Sequence, residues 1–262
     1  MPTNETKIQI RNLTMAYESY VVMREINAKV KRGSIFVIMG NSGSGKSTLL
    51  RHMLGLQRPT QGDVLYDGAS FWDMDDEARA VQLRKYGVLF QSGALWSSMT
   101  LAENVALPLV EYTDWPASDR DDIARLKLAL VGLSGFEDYY PSEISGGMRK
   151  RAGLARAMAL DPEILFFDEP SAGLDPISSR NLDRLILELR DSLGATIVVV
   201  THELASIFTI ADDSIFLDAD SRTMRAQGNP NHLLKHSNDA KLKAFLTRGE
   251  YSVEAGSHPI QI

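Results

Sequence analysis

The uncharged run Ser34-Ile35-Phe36-Val37-Ile38-Met39 passes into Gly40-Asn41-Ser42-Gly43-Ser44-Gly45-Lys46-Ser47-Thr48 and leaves through Leu49-Leu50-Arg51-His52-Met53-Leu54. A strand, a glycine-rich turn and a helix with the spacing G-x-x-x-x-G-K-[ST] predict an α/β fold with a phosphate-binding loop after a buried strand. The glycines let successive N–H groups face one anion, and the following helix aims its positive end at the same point. Lys46 is placed to reach the β- and γ-phosphates of a nucleotide, and the Ser47 hydroxyl to ligate Mg2+. A flexible Ser/Gly turn is the plain alternative. The pattern arises by chance in roughly one chain of this length per hundred, and the flanking strand and helix lower that further.

A chain of 262 residues, 44% hydrophobic and 24% charged, can bury the core of one large domain with a subdomain. Its net charge of -6 argues against a dominant nucleic-acid surface, which needs a basic stripe. Without cysteine there is neither a disulfide nor a Cys-based zinc or redox site. The start, Met1 to Lys7, has no apolar core and does not read as a secretion signal, and apolar runs such as Ile197 to Val200 are too short to span a bilayer. The expectation is a cytosolic protein.

Residues 7–17 alternate apolar and polar and predict a half-buried strand, with a second strand over roughly 25–30. Further strands are expected at 62–68 and 86–90, with a solvated helix at 73–85 between them. From about 94 to 158 the texture is helical, with helices expected over 101–110, 121–131 and 148–160, punctuated by Pro116, Gly132, Gly135 and Pro141. Strand and helix then alternate again: strands at 164–167, 196–201, 215–217 and 223–227, with a helix at 178–192. A polar tail with one weak amphipathic helix, about 238–247, follows Gly228. The pattern is a discontinuous α/β core holding a helical insertion.

Four further places carry chemistry. Ile164-Leu165-Phe166-Phe167 ends in Asp168-Glu169, which suits the carboxyl edge of a buried parallel sheet, where ligands bind. Asp168 is placed to hold Mg2+ through its water shell, and Glu169 to orient or deprotonate an attacking water. Ser145-Gly146-Gly147 opens a helix and makes a second anion-binding helix start, although Ser-Gly-Gly alone is an ordinary cap. Gln91 closes a strand at the seam with the helical segment, and His202 follows the strand Ile197 to Thr201, where a neutral imidazole can meet a γ-phosphate or the attacking water.

Taken in order, these residues resemble the ATP-binding-cassette (ABC) ATPases over about residues 7–230. The resemblance implies a P-loop ABC ATPase fold: a RecA-like core, an antiparallel β subdomain and a helical insertion. The implied segments are residues 1–93 and 159–230 for the core, 94–158 for the insertion and 231–262 for a C-terminal extension. It implies ATP and Mg2+ as cofactors. Gly40, Asn41, Ser42, Gly43, Ser44, Gly45, Lys46, Ser47 and Thr48 are the Walker A loop, with Tyr17 stacking on adenine and Ser47, Gln91 and Asp168 at the metal. Glu169, His202, Gln91 and Lys46 are the implied catalytic set. Ser145, Gly146 and Gly147 form the signature, and Asp175 belongs to the D-loop Ser171-Ala172-Gly173-Leu174-Asp175. In this family two copies face head to tail and share each ATP between one Walker A loop and the other copy's signature, so a homodimer is implied.

The signature carries Met148 where the commonest family form has Gln, and Ile144 for Leu. Together with Phe90-Gln91-Ser92-Gly93-Ala94-Leu95, Met148 is similar to the Mce/Mla-type lipid transport ATPases, the MlaF-like group. That resemblance implies phospholipid or other lipid transport between membranes, driven with an integral MlaE-like permease and an Mce-domain lipid-binding protein. The ATPase would sit at the cytoplasmic face of the inner membrane, and the segment 238–262 could reach a partner subunit. The alternatives are a cassette serving a small solute such as an amino acid, and a soluble ABC ATPase outside transport.

Overall fold

The computed structural model describes residues 5–249. Residues 1–4 and 250–262 lie outside them, and with them most of the start read as no secretion signal and the end of the segment expected to reach a partner.

Two sheets stack over one another. The smaller is antiparallel, in the order β2-β1-β4-β5, from β1 (Thr6–Tyr17), β2 (Tyr20–Lys31), β4 (Gln61–Tyr66) and β5 (Ala69–Ser70). The larger has six strands. β3 (Ile35–Gly40), β6 (Tyr86–Leu89), β7 (Ile164–Asp168), β8 (Thr196–Val200), β9 (Asp213–Asp218) and β10 (Thr223–Gly228) run in the order β10-β9-β3-β8-β7-β6. All its pairs are parallel except the edge pair of β10 with β9.

Every residue of β3 is buried, because both faces of a parallel sheet are covered. Its alternate side chains serve two different cores. Ile35, Val37 and Met39 join Phe167, Val199 and the helices α3 (Leu101–Tyr112), α4 (Ala117–Leu130) and α5 (Gly146–Ala157). Phe36 and Ile38 join Phe166, Val198, helix α1 (Lys46–Met53) and the inner face of the antiparallel sheet, including Ile8, Ile10 and Met23. Lys7 is fully buried between these layers and pairs with both Asp67 and Glu163, tying β1 to the start of β7. A lone buried ammonium there would be costly, so both partners are needed.

Several elements run longer than their sequence signals. β2 begins at Tyr20, since Tyr17 pairs with Tyr20 across a turn whose Glu18 is left-handed at φ 51°. α6 (Pro176–Leu193) starts two residues before the expected 178. Proline at its first position is pre-set for a helix, and the Asp175 carboxylate accepts from the N–H groups of Ile177 and Ser178. The tail holds α9 (Ala240–Leu246) as expected, and also α8 (Pro230–His236), which was not. Asn229-Pro230 is a cap-and-first-turn signal that the polar composition hid. α2 (Asp76–Arg84) and α7 (Leu204–Ile210) complete the α-helices among the described residues, and a short 3-10 helix spans Pro141–Glu143. None of these is long and apolar enough to cross a membrane.

Candidate nucleotide site

Because β3, β8, β7 and β6 are parallel neighbours, the residues that follow them gather at one sheet edge. The loop after β3, His202 after β8, Asp168-Glu169 at the end of β7 and Gln91 after β6 all arrive there. Ligands of open α/β sheets bind at that edge.

The loop after β3 is tightly determined. A Cβ on Gly40 would stand 2.5 Å from both the Leu217 carbonyl and the Ser44 hydroxyl. Gly45 is left-handed at φ 79° and caps α1 without offering a side-chain acceptor, so the first N–H groups of that helix stay available to an outside anion. Lys46 lies across the loop, its Nζ donating to the Gly40 carbonyl at 2.9 Å and the Asn41 carbonyl at 3.1 Å. Burial pulls its pKa down, and the charges of Glu169 and Asp168 oppose that. The Ser44 hydroxyl is buried without a hydrogen-bond partner.

At the end of β7, Ser47 Oγ donates to Asp168 Oδ1 at 3.3 Å. Burial pushes the Asp168 carboxyl above the ordinary carboxylate range, with the Ser47 hydrogen bond working against the rise and the Glu169 charge adding to it. Glu169 is left-handed at φ 48°, a conformation that costs a non-glycine residue of order 1 kcal/mol and clusters at functional sites. Its N–H donates to the Val200 carbonyl at 2.8 Å, which extends the β7–β8 ladder by one step. Its Oε1 lies 2.8 Å from His202 Nδ1, so Nδ1 carries the proton toward the carboxylate. Its Oε2 is buried with no partner.

Ser42, Gly43, Ser44, Gly45, Lys46, Ser47, Thr48, Gln91, Glu169 and His202 line one cavity of about 470 Å3, with Val22 of β2 as its apolar wall. Tyr17 does not line it. Ser145 and Gly147 line a different cavity of about 420 Å3, beside Leu174 and Ser178. Asp175 is committed to capping α6 and also accepts from Ser178 Oγ at 2.5 Å. The two helix starts are thus separate within one chain.

The donor set fits a nucleoside triphosphate with a divalent cation. The unpartnered Ser44 hydroxyl, the free N–H groups of α1 and the Lys46 ammonium are anion donors. Asp168 and Ser47 supply two oxygens, which suits Mg2+, an ion that takes one or two protein ligands and completes its shell with phosphate and water.

Sequence reasoning missed Lys150. It is buried and donates to the Glu169 carbonyl at 3.2 Å and the Ala172 carbonyl at 2.7 Å. The available signal was three consecutive basic residues, 149–151, on one helix. At 100° per residue they spread over about 200° of the helix surface, so one of them can turn inward, where it needs acceptors.

Comparison with known proteins agrees with this geometry. Residues 23–172 match the family described as ABC transporter. The chain is 40% identical over 247 residues to the intermembrane phospholipid transport system ATP-binding protein MlaF of Haemophilus influenzae, covering 94% of this chain and 92% of that protein. It is 39% identical over 239 residues to the "Probable ribonucleotide transport ATP-binding protein mkl" of Mycobacterium tuberculosis, covering 91% of this chain and only 66% of that protein's length. Among solved structures, cbiO1 of Clostridium perfringens, part of an ABC transporter complex, superposes with a TM-score of 0.81 at 26% identity, covering 94% and 97% of the two chains. An ATP-binding cassette in a dimeric post-hydrolysis state with ADP and Pi gives 0.75 at 29% identity, covering 85% and 98%. The chain belongs to the ABC transporter family, as an ATP-binding cassette.

Proposed function

We propose that the chain hydrolyses ATP as a homodimer to power lipid transport between membranes, bound to an MlaE-like permease at the cytoplasmic face of the inner membrane together with an Mce-domain protein. The observation that carries the catalytic part is Glu169, whose buried Oε2 has no partner and whose other oxygen is held by His202 beside the Lys46 loop. Such a carboxylate has one lone-pair face left to take a proton from water.

Lys46, the N–H groups of α1 and Ser44 bind the phosphates and neutralise charge that grows on the bridging and terminal oxygens. Ser47, Asp168 and Gln91 would hold Mg2+, which when bound would supply further stabilisation of that charge. Glu169 Oε2 orients the attacking water and takes its proton as the new oxygen–phosphorus bond forms and the bond to the leaving ADP oxygen breaks. His202 Nδ1–H fixes the Glu169 carboxylate in place, and the half-exposed ring lines the cavity with its Nε2 3.9 Å from Glu203 Oε1.

Gly146 and Gly147 support the dimer. A Cβ on Gly147 would meet nothing in its own chain closer than 3.6 Å, and one on Gly146 nothing closer than 3.7 Å. The fold itself makes no demand for glycine there, and the bare backbone leaves room for a body that approaches from outside. The phosphates held by a second copy's Walker A loop are such a body.

Lipid as cargo is supported by the likeness to MlaF of Haemophilus influenzae across nearly the whole of both chains and by Phe90-Gln91-Ser92-Gly93-Ala94-Leu95. The likeness to the mycobacterial protein named for ribonucleotide transport favours a second reading, a small-solute cassette. Detergent extraction of the native complex through this chain, with subunits and bound molecules identified by mass spectrometry, separates them. An Mce-domain subunit with phospholipid supports the first reading; a solute-binding protein without it supports the second. A chain recovered with no membrane protein would sink both.

A further inference from the structure

Residues 169–172 lead from the metal-ligand strand into the D-loop, and their backbone is held by Glu169 N–H on the Val200 carbonyl at 2.8 Å and Ala172 N–H on the Glu169 carbonyl at 3.2 Å. The Ser171 hydroxyl and Glu169 Oε2 are both buried without partners. Glu169 is left-handed, a conformation with a standing cost that surrounding contacts must offset. Among the described residues only two side chains bond to this turn: His202, on the Glu169 carboxylate, and Lys150, on the backbone carbonyls of Glu169 and Ala172.

Lys150 comes from α5, the helix that the signature opens. It is 6% exposed and forms no ion pair among the described residues; its charge is met by carbonyl dipoles at the two ends of the turn. Burial lowers its pKa, and the nearby Glu169 charge opposes the shift. Neighbouring basic residues of α5 use carbonyls in the same way elsewhere: Arg151 on Val131 and Gly132, Arg156 on Gly93 and Ala94. Lys150 is the one directed at the catalytic turn.

We infer that Lys150 is a positioning residue for hydrolysis: its ammonium pins the carbonyls of Glu169 and Ala172 and so fixes the left-handed turn that aims the Glu169 carboxylate into the phosphate cavity. This rests on the ATP-hydrolysing reading of the site. Lys150 does not touch the nucleotide cavity, so its loss acts on turnover through Glu169 and leaves phosphate binding alone.

The test uses the full-length chain and four variants, Lys150→Met, Lys150→Gln, Glu169→Gln and the double Lys150→Met/Glu169→Gln, with steady-state and single-turnover ATP hydrolysis. Lys150→Met keeps the buried stem and removes the donors; it should lower kcat by about 30-fold with KM for ATP within about threefold of wild type. Lys150→Gln keeps one carbonyl donor and should recover part of the loss. In the Glu169→Gln background Lys150→Met should change the residual rate by less than about threefold, since residues acting as a unit are not additive. An equal loss in both backgrounds, or a loss confined to KM, overturns the inference. If Lys150→Met does not fold, Lys150→Gln in the two backgrounds poses the same question. A wild-type chain with no hydrolysis would overturn the ATPase reading itself, whereas wild-type turnover in Lys150→Met overturns only the role of Lys150.

Discussion

Two helices in this chain begin in ways that suit an anion, and they are built differently. α1 starts from Gly45, which offers its helix no side-chain cap, and its loop is closed by Lys46 and by the tight approach of Gly40 to Leu217 and Ser44. α5 starts from Ser145, whose hydroxyl accepts from the Met148 N–H at 3.2 Å, and a Cβ on either of its two glycines would make only ordinary contacts, at 3.6 Å or more. The first start is fully shaped by its own chain and has a carboxylate with a free oxygen opposite it. The second satisfies itself and has no lysine, metal-ligand pair or catalytic carboxylate lining its cavity. One is shaped as a phosphate site by its own chain; the other, in the proposed dimer, completes the site of a second copy.

The largest effect should come from removing the cation of the first start. Lys46→Ala takes away a phosphate contact made both in the ground state and in the transition state, and kcat/KM for ATP should fall by about 10⁴-fold. Phosphate-release assays check it, and turnover near wild type would dissolve the contrast at once. Glu169→Gln should follow, with kcat down by about 10³-fold while ATP still binds. Light scattering or size exclusion with ATP should then find dimers that persist. If the nucleotide is bound but no dimer forms, the second start is not a partner of the first.

Ser145→Arg sharpens the comparison. It places a long cation where an incoming phosphate needs room, and turnover should fall by about 10²-fold with ATP affinity of the monomeric chain unchanged within about twofold. Mixing Ser145→Arg with Lys46→Ala should restore activity. In the mixed dimer, the intact Lys46 loop of one chain meets the intact Ser145 of the other, so one composite site is whole. A mixture no more active than its parents would mean that both starts serve one chain.

Much of the first start was legible before any coordinates, because its chemistry is local. A buried strand, a glycine loop and a lysine at fixed spacing specify a nest and a helix dipole with no help from the rest of the fold. Asp168 and Glu169 were legible for a similar reason: a wholly apolar strand ending in carboxylates belongs at the edge of a parallel sheet. What stayed hidden depends on residues far apart in sequence. The left-handed turn at Glu169, the Lys150 contacts and the Val22 wall come from three elements separated by more than a hundred residues between first and last. The resemblance alone puts Tyr17 at adenine, and it stands exposed at the end of β1, outside the cavity lined by the phosphate loop. The strand lengths were underestimated wherever a tight turn, such as Glu18-Ser19, let pairing continue past the last apolar residue.

The smallest effect separates the two duties of Ser145. As a cap, its hydroxyl satisfies one N–H of α5, and Ser145→Ala should cost about 1 kcal/mol of stability, a fall in Tm of about 2–4 °C for a domain of this size. As part of a shared site, its hydroxyl must leave Met148 N–H, or share it, when a phosphate arrives. The Tm loss should therefore be the same with and without ATP in a Lys46→Ala chain, which cannot present a phosphate to its partner. In the Glu169→Gln chain, where ATP closes the dimer, the Tm gain that ATP confers should shrink when Ser145→Ala is added, because binding to the closed state adds its own stabilisation. Differential scanning calorimetry on the two pairs reads both quantities. An ATP-induced gain untouched by Ser145→Ala would leave Ser145 as a helix cap and nothing more.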